Sequence, residues 1–226
     1  MVASQRSTRK FTYSESQLIQ LKRGLSLDRF AFYLESSGGD DLSAVRLYEE
    51  NTALSESLYG VLQGFEIVLR NSMHETLVRG IGQPDWYSHV DLEEPEMETV
   101  KKTKDKIKKK GYAVTSSRVV SELTFGFWSS LAARHYAARL WLPHLHKAFP
   151  YKQIGHKVAH KRLDSIRYLR NKVAHHECIL RYDLEREYKE IIEACGWICP
   201  DTTMWIRETT RFETAYFLLR GKRITF

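Results

Sequence analysis

A long helical repeat of apolar residues constrains this chain more than any other feature. From Ala53 to about Val78, large apolar residues recur at three- and four-residue steps, which places them on one face of an α-helix. The members of this stripe are Leu54, Leu58, Leu62, Phe65, Leu69 and the polar Thr76. The opposite face is polar and carries Gln63, Glu66, Arg70 and His74. The stretch therefore predicts one amphipathic helix, ended by the glycines and proline of residues 80–84.

Helical patterns also account for most of the remaining chain, and an all-α fold is expected. Further helices are predicted over residues 14–26, 28–34, 41–50, 93–110, 117–123, 125–136, 151–176, 183–195 and 201–220, with a short segment at 141–149. Ser14 and Gln17 form a capping box for the first of them, and Asp201 is the expected N-cap of the last. No stretch sustains the period of two that a strand requires, and only 5 prolines and 12 glycines interrupt the 226 residues.

The composition is that of a globular protein without a membrane-spanning segment. Its most apolar stretch, residues 58–69, is interrupted by Gln63 and Glu66 and is too short to cross a bilayer, and residues 1–10 lack a signal-peptide pattern. Three cysteines at spacings unlike a disulfide framework favour a reducing, cytoplasmic setting. Because no repeat or linker is evident, residues 1–226 are expected to form a single domain.

The charge balance is basic, and its densest part lies between residues 101 and 110. The formal net charge of +7 permits a polyanionic partner such as nucleic acid. Most lysine runs of this kind are solvated, mobile faces. The alternative is a surface that follows RNA phosphates, whose members would be Lys101, Lys102, Lys108, Lys109 and Lys110. Few aromatic residues interleave with these lysines, which argues against base stacking, and Tyr112 is the one candidate.

The segment from Arg170 to Glu177 holds the best candidates for chemistry. On a helix that starts near residue 151, an apolar stripe faces the core at Ile154, Val158, Ile166, Leu169 and Val173. Helical spacing places Asn171 beside His175 on the polar side, whereas His176 projects back along the apolar side. We therefore expect His175 to be the functional histidine and His176 to pack under the next loop or cap the helix end. On spacing alone, a solvated helix end is the better explanation of the segment, because an arginine and a histidine five residues apart are common.

Four short motifs, which follow one another along the chain in the order found in that family, resemble the Abi-like (abortive infection) family of the HEPN superfamily. Arg170-Asn171 followed by His175 resembles the HEPN signature, in which a histidine follows an arginine after four to six residues. The other three matches are residues 21–28 (an N-terminal motif), 65–71 (a Glu-x-x-x-Arg-Asn helix) and 123–128 (a Gly-x-Trp segment). The resemblance implies a HEPN-like helical bundle with additional helices. Its core would span about residues 40–196, with N-terminal helices at 14–36 and a C-terminal helix at about 201–220.

The same resemblance implies a ribonuclease of phage defence that needs no metal or other cofactor. The catalytic residues would be Arg170, Asn171 and His175, supported by Glu66, Arg70 and His176. The 2′-hydroxyl of RNA would attack the adjacent phosphate, with histidine moving the protons and arginine holding the phosphate. Such enzymes typically pair two motifs across a homodimer, so the expected partners are RNA, a second copy that completes the site, and an antitoxin or regulator.

Several alternatives remain open at this stage. Glu66 and Arg70 either form an exposed i,i+4 ion pair or line the same cleft as the HEPN motif. His156 and His160 have a spacing that suits zinc, but no acidic or cysteine ligand accompanies them, so no metal site is expected. A non-catalytic module that binds RNA or a protein partner is the main competing function. A membrane peptidase is disfavoured, because it would need a spanning segment.

Overall fold

The computed structural model describes residues 11–221, 224 and 225. Every element of regular secondary structure assigned within these residues is a helix. The all-α fold expected from the sequence is therefore confirmed. No helix in this described part has the length and low charge needed to cross a membrane. Packing divides the chain into two compact units, with the division between Ala53 and Leu54. The single domain expected over residues 1–226 stays a prediction.

Over its described residues, 11–53, the first unit contains three helical segments around a small aromatic core. They are α1 (Glu15–Gly24), α2 (Leu27–Ser36) and the first part of α3 (Asp41–Ile81). The Ser14 and Gln17 capping box at the start of α1 is present as predicted. Phe30 and Tyr33 of α2 are buried and pack on Tyr48, with ring centroids 5.5 and 5.2 Å away.

The predicted break between residues 50 and 53 is wrong, because α3 runs without interruption through this region. Asn51 and Thr52 are poor helix formers, which is why the sequence favoured two helices there. In the structure the Thr52 hydroxyl donates to the carbonyl of Tyr48, 3.0 Å away, so the side chain binds the preceding turn of the same helix. Asn51 is buried. Both residues are thus held within a continuous helix.

In the described part of the second unit, the rest of α3 is followed by seven further α-helices. They are α4 (Glu94–Lys109), α5 (Ser116–Glu122), α6 (Phe125–Ser130), α7 (His156–Ala174), α8 (Leu184–Gly196), α9 (Pro200–Thr209) and α10 (Phe212–Arg220). Short 3₁₀ turns cover Trp86–Ser88, Arg134–Tyr136 and Leu145–Ala148, and a π turn covers Ala137–Trp141. Helix α4 packs on α5, while α6, α7, α8 and α9 pack each on the next.

The apolar face of α3 forms one wall of the core of the second unit. All six residues of its predicted stripe, from Leu54 to Thr76, are buried. Trp86 and Trp128 are fully buried against each other, with ring centroids 6.0 Å apart. Phe127 and Trp141 are also buried in this core.

The predicted final helix over residues 201–220 is two helices. Thr210 has extended backbone angles (φ −70°, ψ 148°) that end α9, and its hydroxyl accepts a bond from the backbone N–H of Phe212. Phe212 is then fully buried at the start of α10, which explains why the chain turns there. The N-cap of α9 is also different from the prediction, since the sulfur of Cys199, rather than Asp201, accepts from the Thr202 N–H.

Helix α7, which carries the HEPN-like segment, starts later than predicted. The backbone N–H of Tyr151 donates to the carbonyl of Trp197, which holds residue 151 outside the helix. Val158, expected on the core stripe, is 53% exposed, and Leu163 is buried with Ile166 on the core side. The buried stripe of α7 is Ala159, Leu163, Ile166, Leu169 and Val173, so Val158 lies beside the core face and not on it.

Candidate active site

The C-terminal end of α7 is a tight turn built around two histidines. The His175 N–H donates to the Asn171 carbonyl, whereas the His176 N–H reaches the Val173 carbonyl and the Glu177 N–H reaches the Lys172 carbonyl. This pattern is a Schellman motif, in which the residue after the cap adopts a left-handed conformation. His176 occupies that position with φ 57°. Glycine is usual there, so His176 has a strained backbone.

A cleft of about 520 Å³ lies between α3 and the C-terminal end of α7, entirely within the second unit. Its polar lining comprises Glu66 and Arg70 of α3, Arg170 of α7 and His176. The remaining walls are formed by Tyr59, Leu62, Gln63, Ile67, Val173 and Ala174. The cleft therefore brings an acid, two guanidinium groups and an imidazole to one partly apolar surface.

An ion pair joins the two helices that form the cleft. Arg170 Nε donates to Glu66 Oε2 at 3.2 Å, and both side chains are partly exposed. Glu66 is thus paired with Arg170 and not with Arg70, which decides against the i,i+4 pair that the sequence left open. The bond uses one of the five N–H groups of Arg170. Its two terminal amino groups have no ion pair within the described residues and are available to an anion.

Arg70 is held by contacts outside the Glu66 pair. Its Nε donates to the Asn71 side chain at 3.3 Å, and its Nη1 makes a long bond of 3.5 Å to the Ser121 carbonyl of α5. Arg70 is therefore the residue that links the cleft to the end of α5.

The structure separates the three residues predicted to be catalytic. Arg170 lines the cleft, while Asn171 and His175 do not. Asn171 is half-buried, and His175 is exposed just beyond the end of α7. Earlier on the same helix, Asp164 and Arg167 form an ion pair at 2.5 Å. The catalytic roles of Asn171 and His175 stay predictions.

Sequence reasoning gave His176 a structural role, yet its side chain lines the cleft. The prediction placed it on the apolar side of a helix continuing through residue 176. The helix ends two residues earlier at Ala174, and the left-handed turn redirects the His176 side chain. Tyr59, Gln63 and Ile67 were also missed as lining residues. They follow one another at four-residue steps, and Gln63 lies three residues before Glu66, so helical spacing was the signal that could have found them.

The predicted RNA-binding lysines are all exposed on or just after α4. Lys101 and Lys102 lie 3.9 and 3.5 Å from Glu98, so both are loosely paired. Lys110 binds one oxygen of Glu122 at 2.9 Å, and this contact together with that of Lys106 holds the pKa of the Glu122 carboxyl below its usual value. Lys108 and Lys109 carry no ion pair to any residue in the described part of the chain.

His74, predicted on the same polar face as Glu66, has a structural partner. The fully buried Trp86 donates through Nε1 to His74 Nδ1 at 3.1 Å. An indole N–H can only donate, so His74 accepts and is neutral in this arrangement. Partial burial lowers the pKa of His74, which favours the same neutral form. The residue therefore fastens Trp86 to α3.

No cluster of three or more metal-ligating side chains is found in residues 11–221, 224 and 225. Comparison with models of known protein families, with curated proteins and with solved structures yields no match for this chain.

Proposed function

We propose that this protein is a metal-independent endoribonuclease whose active site is the cleft between α3 and α7. The observation that carries the proposal is the convergence of Arg70, Arg170 and His176 on one cleft. Two guanidinium groups suit a phosphate, and an imidazole exchanges protons near neutral pH. The net charge of +7 and the exposed lysines of α4 add attraction for a polyanion.

In the proposed reaction the 2′-oxygen of a ribose attacks the neighbouring phosphorus and the bond to the 5′-oxygen breaks. One group removes the 2′-hydroxyl proton, and another donates a proton to the leaving 5′-oxygen. The products carry a 2′,3′-cyclic phosphate and a 5′-hydroxyl. The Arg170 amino groups would hold the non-bridging oxygens as negative charge develops on the phosphorane. Glu66 would fix the direction of that guanidinium through Nε.

The two proton transfers require two groups, and the chain offers two adjacent histidines. His176 lines the cleft, and His175 is exposed beside it in sequence. We propose that His176 acts within its own cleft and that a second copy of the chain brings its His175 to the same phosphate, so that the active unit is a homodimer. The resemblance to Abi-like HEPN proteins supports this arrangement and a role as a cytoplasmic effector of phage defence, under an antitoxin or another regulator.

The proposal is tested by incubating purified protein with RNA in excess chelator. Wild-type protein should release fragments with 2′,3′-cyclic phosphate ends. The substitutions Arg170→Ala and His176→Ala should each reduce the rate by about 10²–10⁴-fold, the range typical of a lost acid–base or electrostatic contribution. Arg167→Ala is the matched control, because Arg167 lies on the same helix and pairs with Asp164 outside the cleft. Equal rates for wild type, Arg170→Ala and His176→Ala would refute the proposal.

The homodimer is tested by dilution. Activity per protomer should fall once the concentration drops below the dissociation constant of the dimer, and His175→Ala should be inactive at every concentration. Constant specific activity down to concentrations at which sedimentation shows only monomer would exclude the shared site.

A second candidate function, RNA binding without cleavage, is favoured by one specific observation. The Glu66 carboxylate partly neutralises Arg170, which reduces the charge offered to a phosphorane. A binding module would show affinity that falls steeply with salt and no turnover. Glu66→Gln separates the two functions, because it frees the guanidinium charge. It should tighten binding in a module but slow cleavage in a nuclease that needs Arg170 oriented.

A further inference from the structure

The loop after α4 presents an exposed aromatic ring that is held in place by an arginine. The Arg118 guanidinium carbon lies 4.7 Å from the centroid of the Tyr112 ring, and Tyr112 remains 56% exposed. Arg118 also donates through Nη1 to the Ala113 carbonyl at 3.1 Å. The Tyr112 N–H donates to the Ile107 carbonyl, across a turn in which Gly111 has φ 75°. The loop backbone is therefore bonded to α4, and the Arg118 guanidinium is bonded to the loop and contacts the ring.

The surroundings of Tyr112 are strongly basic. Residues 101–110 contain seven lysines and one aspartate. Lys106 and Lys110 share the carboxylate of Glu122, at 2.8 and 2.9 Å. Lys108 and Lys109 have no such counter-charge among the described residues and lie a few positions before the ring. A flat ring beside uncompensated cations is the combination that binds an unpaired base together with its phosphates.

This basic aromatic surface is connected to the cleft through α5. Arg118 lies in the first turn of α5, and Ser121, whose carbonyl accepts from Arg70 of the cleft, lies three residues later. Arg70 and Tyr112 therefore both contact residues of this one short helix.

We propose that Tyr112, Arg118, Lys108 and Lys109 form a binding site for single-stranded RNA that leads to the cleft, with one unpaired base stacked on the Tyr112 ring. The identity of the ligand as RNA rests on the proposed function. A base in a duplex is already stacked on both faces and cannot reach the ring, so the site selects single strands. Arg118 lies over one face of the Tyr112 ring, so the unpaired base would stack on the opposite face.

The experiment measures binding to a short single-stranded oligonucleotide in which every 2′-oxygen is methylated. Such a strand cannot be cleaved by 2′-oxygen attack, so the result does not depend on whether the cleft is a nuclease. Tyr112→Leu should weaken binding about tenfold, while Tyr112→Phe should bind like wild type. Tyr151→Leu is the matched control, because Tyr151 is 66% exposed and lies outside this surface. Replacing Lys108 and Lys109 together by alanine should reduce the slope of log affinity against log salt by about 1.4.

Two competitors distinguish RNA from other polyanions. Inorganic polyphosphate and vesicles of anionic phospholipid should displace the oligonucleotide only weakly, and the annealed duplex should bind less tightly than the single strand. The proposal is overturned if Tyr112→Leu binds like wild type, or if polyphosphate or vesicles bind as tightly as the oligonucleotide. Binding that depends on Tyr112, combined with no cleavage of ordinary RNA, would uphold this site and count against the ribonuclease proposal alone.

Discussion

Replacing His176 by glycine should raise the stability of the fold while it abolishes the proposed activity. His176 has φ 57°, which costs an L-residue about 1–2 kcal/mol and costs glycine almost nothing. Glycine also gives the unfolded chain more freedom, which subtracts about 0.4–1 kcal/mol. The His176 side chain is exposed, so its removal uncovers little buried surface. The net gain from the backbone alone is about 0.5–1 kcal/mol, or a Tm increase of roughly 1–4 °C for a chain of this size.

His175→Gly is the control for this prediction. His175 has φ −93° and ψ 8°, a conformation open to any residue, so glycine there relieves no strain. It adds only freedom to the unfolded chain and should lower stability by about 0.4–1 kcal/mol. Thermal and urea unfolding of the two variants should therefore change in opposite directions. RNA cleavage under chelator should fall by about 10²–10⁴-fold in His176→Gly.

The reasoning is refuted if His176→Gly lowers the midpoint of unfolding as much as His175→Gly does. The left-handed backbone would then be a relaxed feature of the turn rather than a cost. A stabilised His176→Gly protein with full cleavage activity would keep the argument about strain. It would remove His176 from the chemistry.

Two further changes test the packing of the second unit. Gly64→Ala should lower the free energy of unfolding by about 1–3 kcal/mol, because an added Cβ would lie 2.8 Å from Cδ1 of the buried Ile206. Gly60→Ala should raise the free energy of unfolding by about 0.5–1 kcal/mol, because no atom lies within 4 Å of its added Cβ and alanine favours the helix. Urea unfolding measures both changes, and equal effects would contradict the close approach of Ile206 to Gly64. Because the pKa of His74 is lowered in the fold, the unfolded chain binds more protons below about pH 6.5, and stability is lost as the pH falls. Wild type should thus lose more stability than His74→Gln when the pH is lowered from about 7.5 to about 5. The glutamine amide oxygen can still accept the Trp86 N–H, so the variant removes the titrating group and keeps the hydrogen bond. Parallel plots of unfolding free energy against pH for the two proteins would contradict this role for His74.

Local periodicity was enough to predict the buried stripe of α3, because burial of a helix face follows from spacing alone. It failed at two positions where the pattern is weak. Thr52 lies within the continuous α3 with its hydroxyl bonded to the Tyr48 carbonyl, whereas the extended backbone at Thr210 ends α9. Both are threonines in weakly helical surroundings, and only their partners in the folded chain distinguish them.

The candidate site shows the same limit at longer range. Polar residues on one face of α3 and an arginine on α7 were visible in the sequence, but the pairing of Glu66 with Arg170 spans 104 positions and depends on tertiary packing. The choice between His175 and His176 depended on where α7 ends. A shift of two residues in that end exchanged which imidazole lines the cleft. Helix ends are the least predictable part of a helical pattern.

Because the two walls of the cleft are far apart in the sequence, the cleft can form only late in translation. Ribosomes add about 5–20 residues per second, so roughly 5–20 s pass between synthesis of Glu66 and synthesis of Arg170. Throughout that interval the nascent chain has one wall of the pocket and lacks the other. A nascent chain therefore cannot use this pocket to cleave its own messenger RNA before Arg170 has been synthesised.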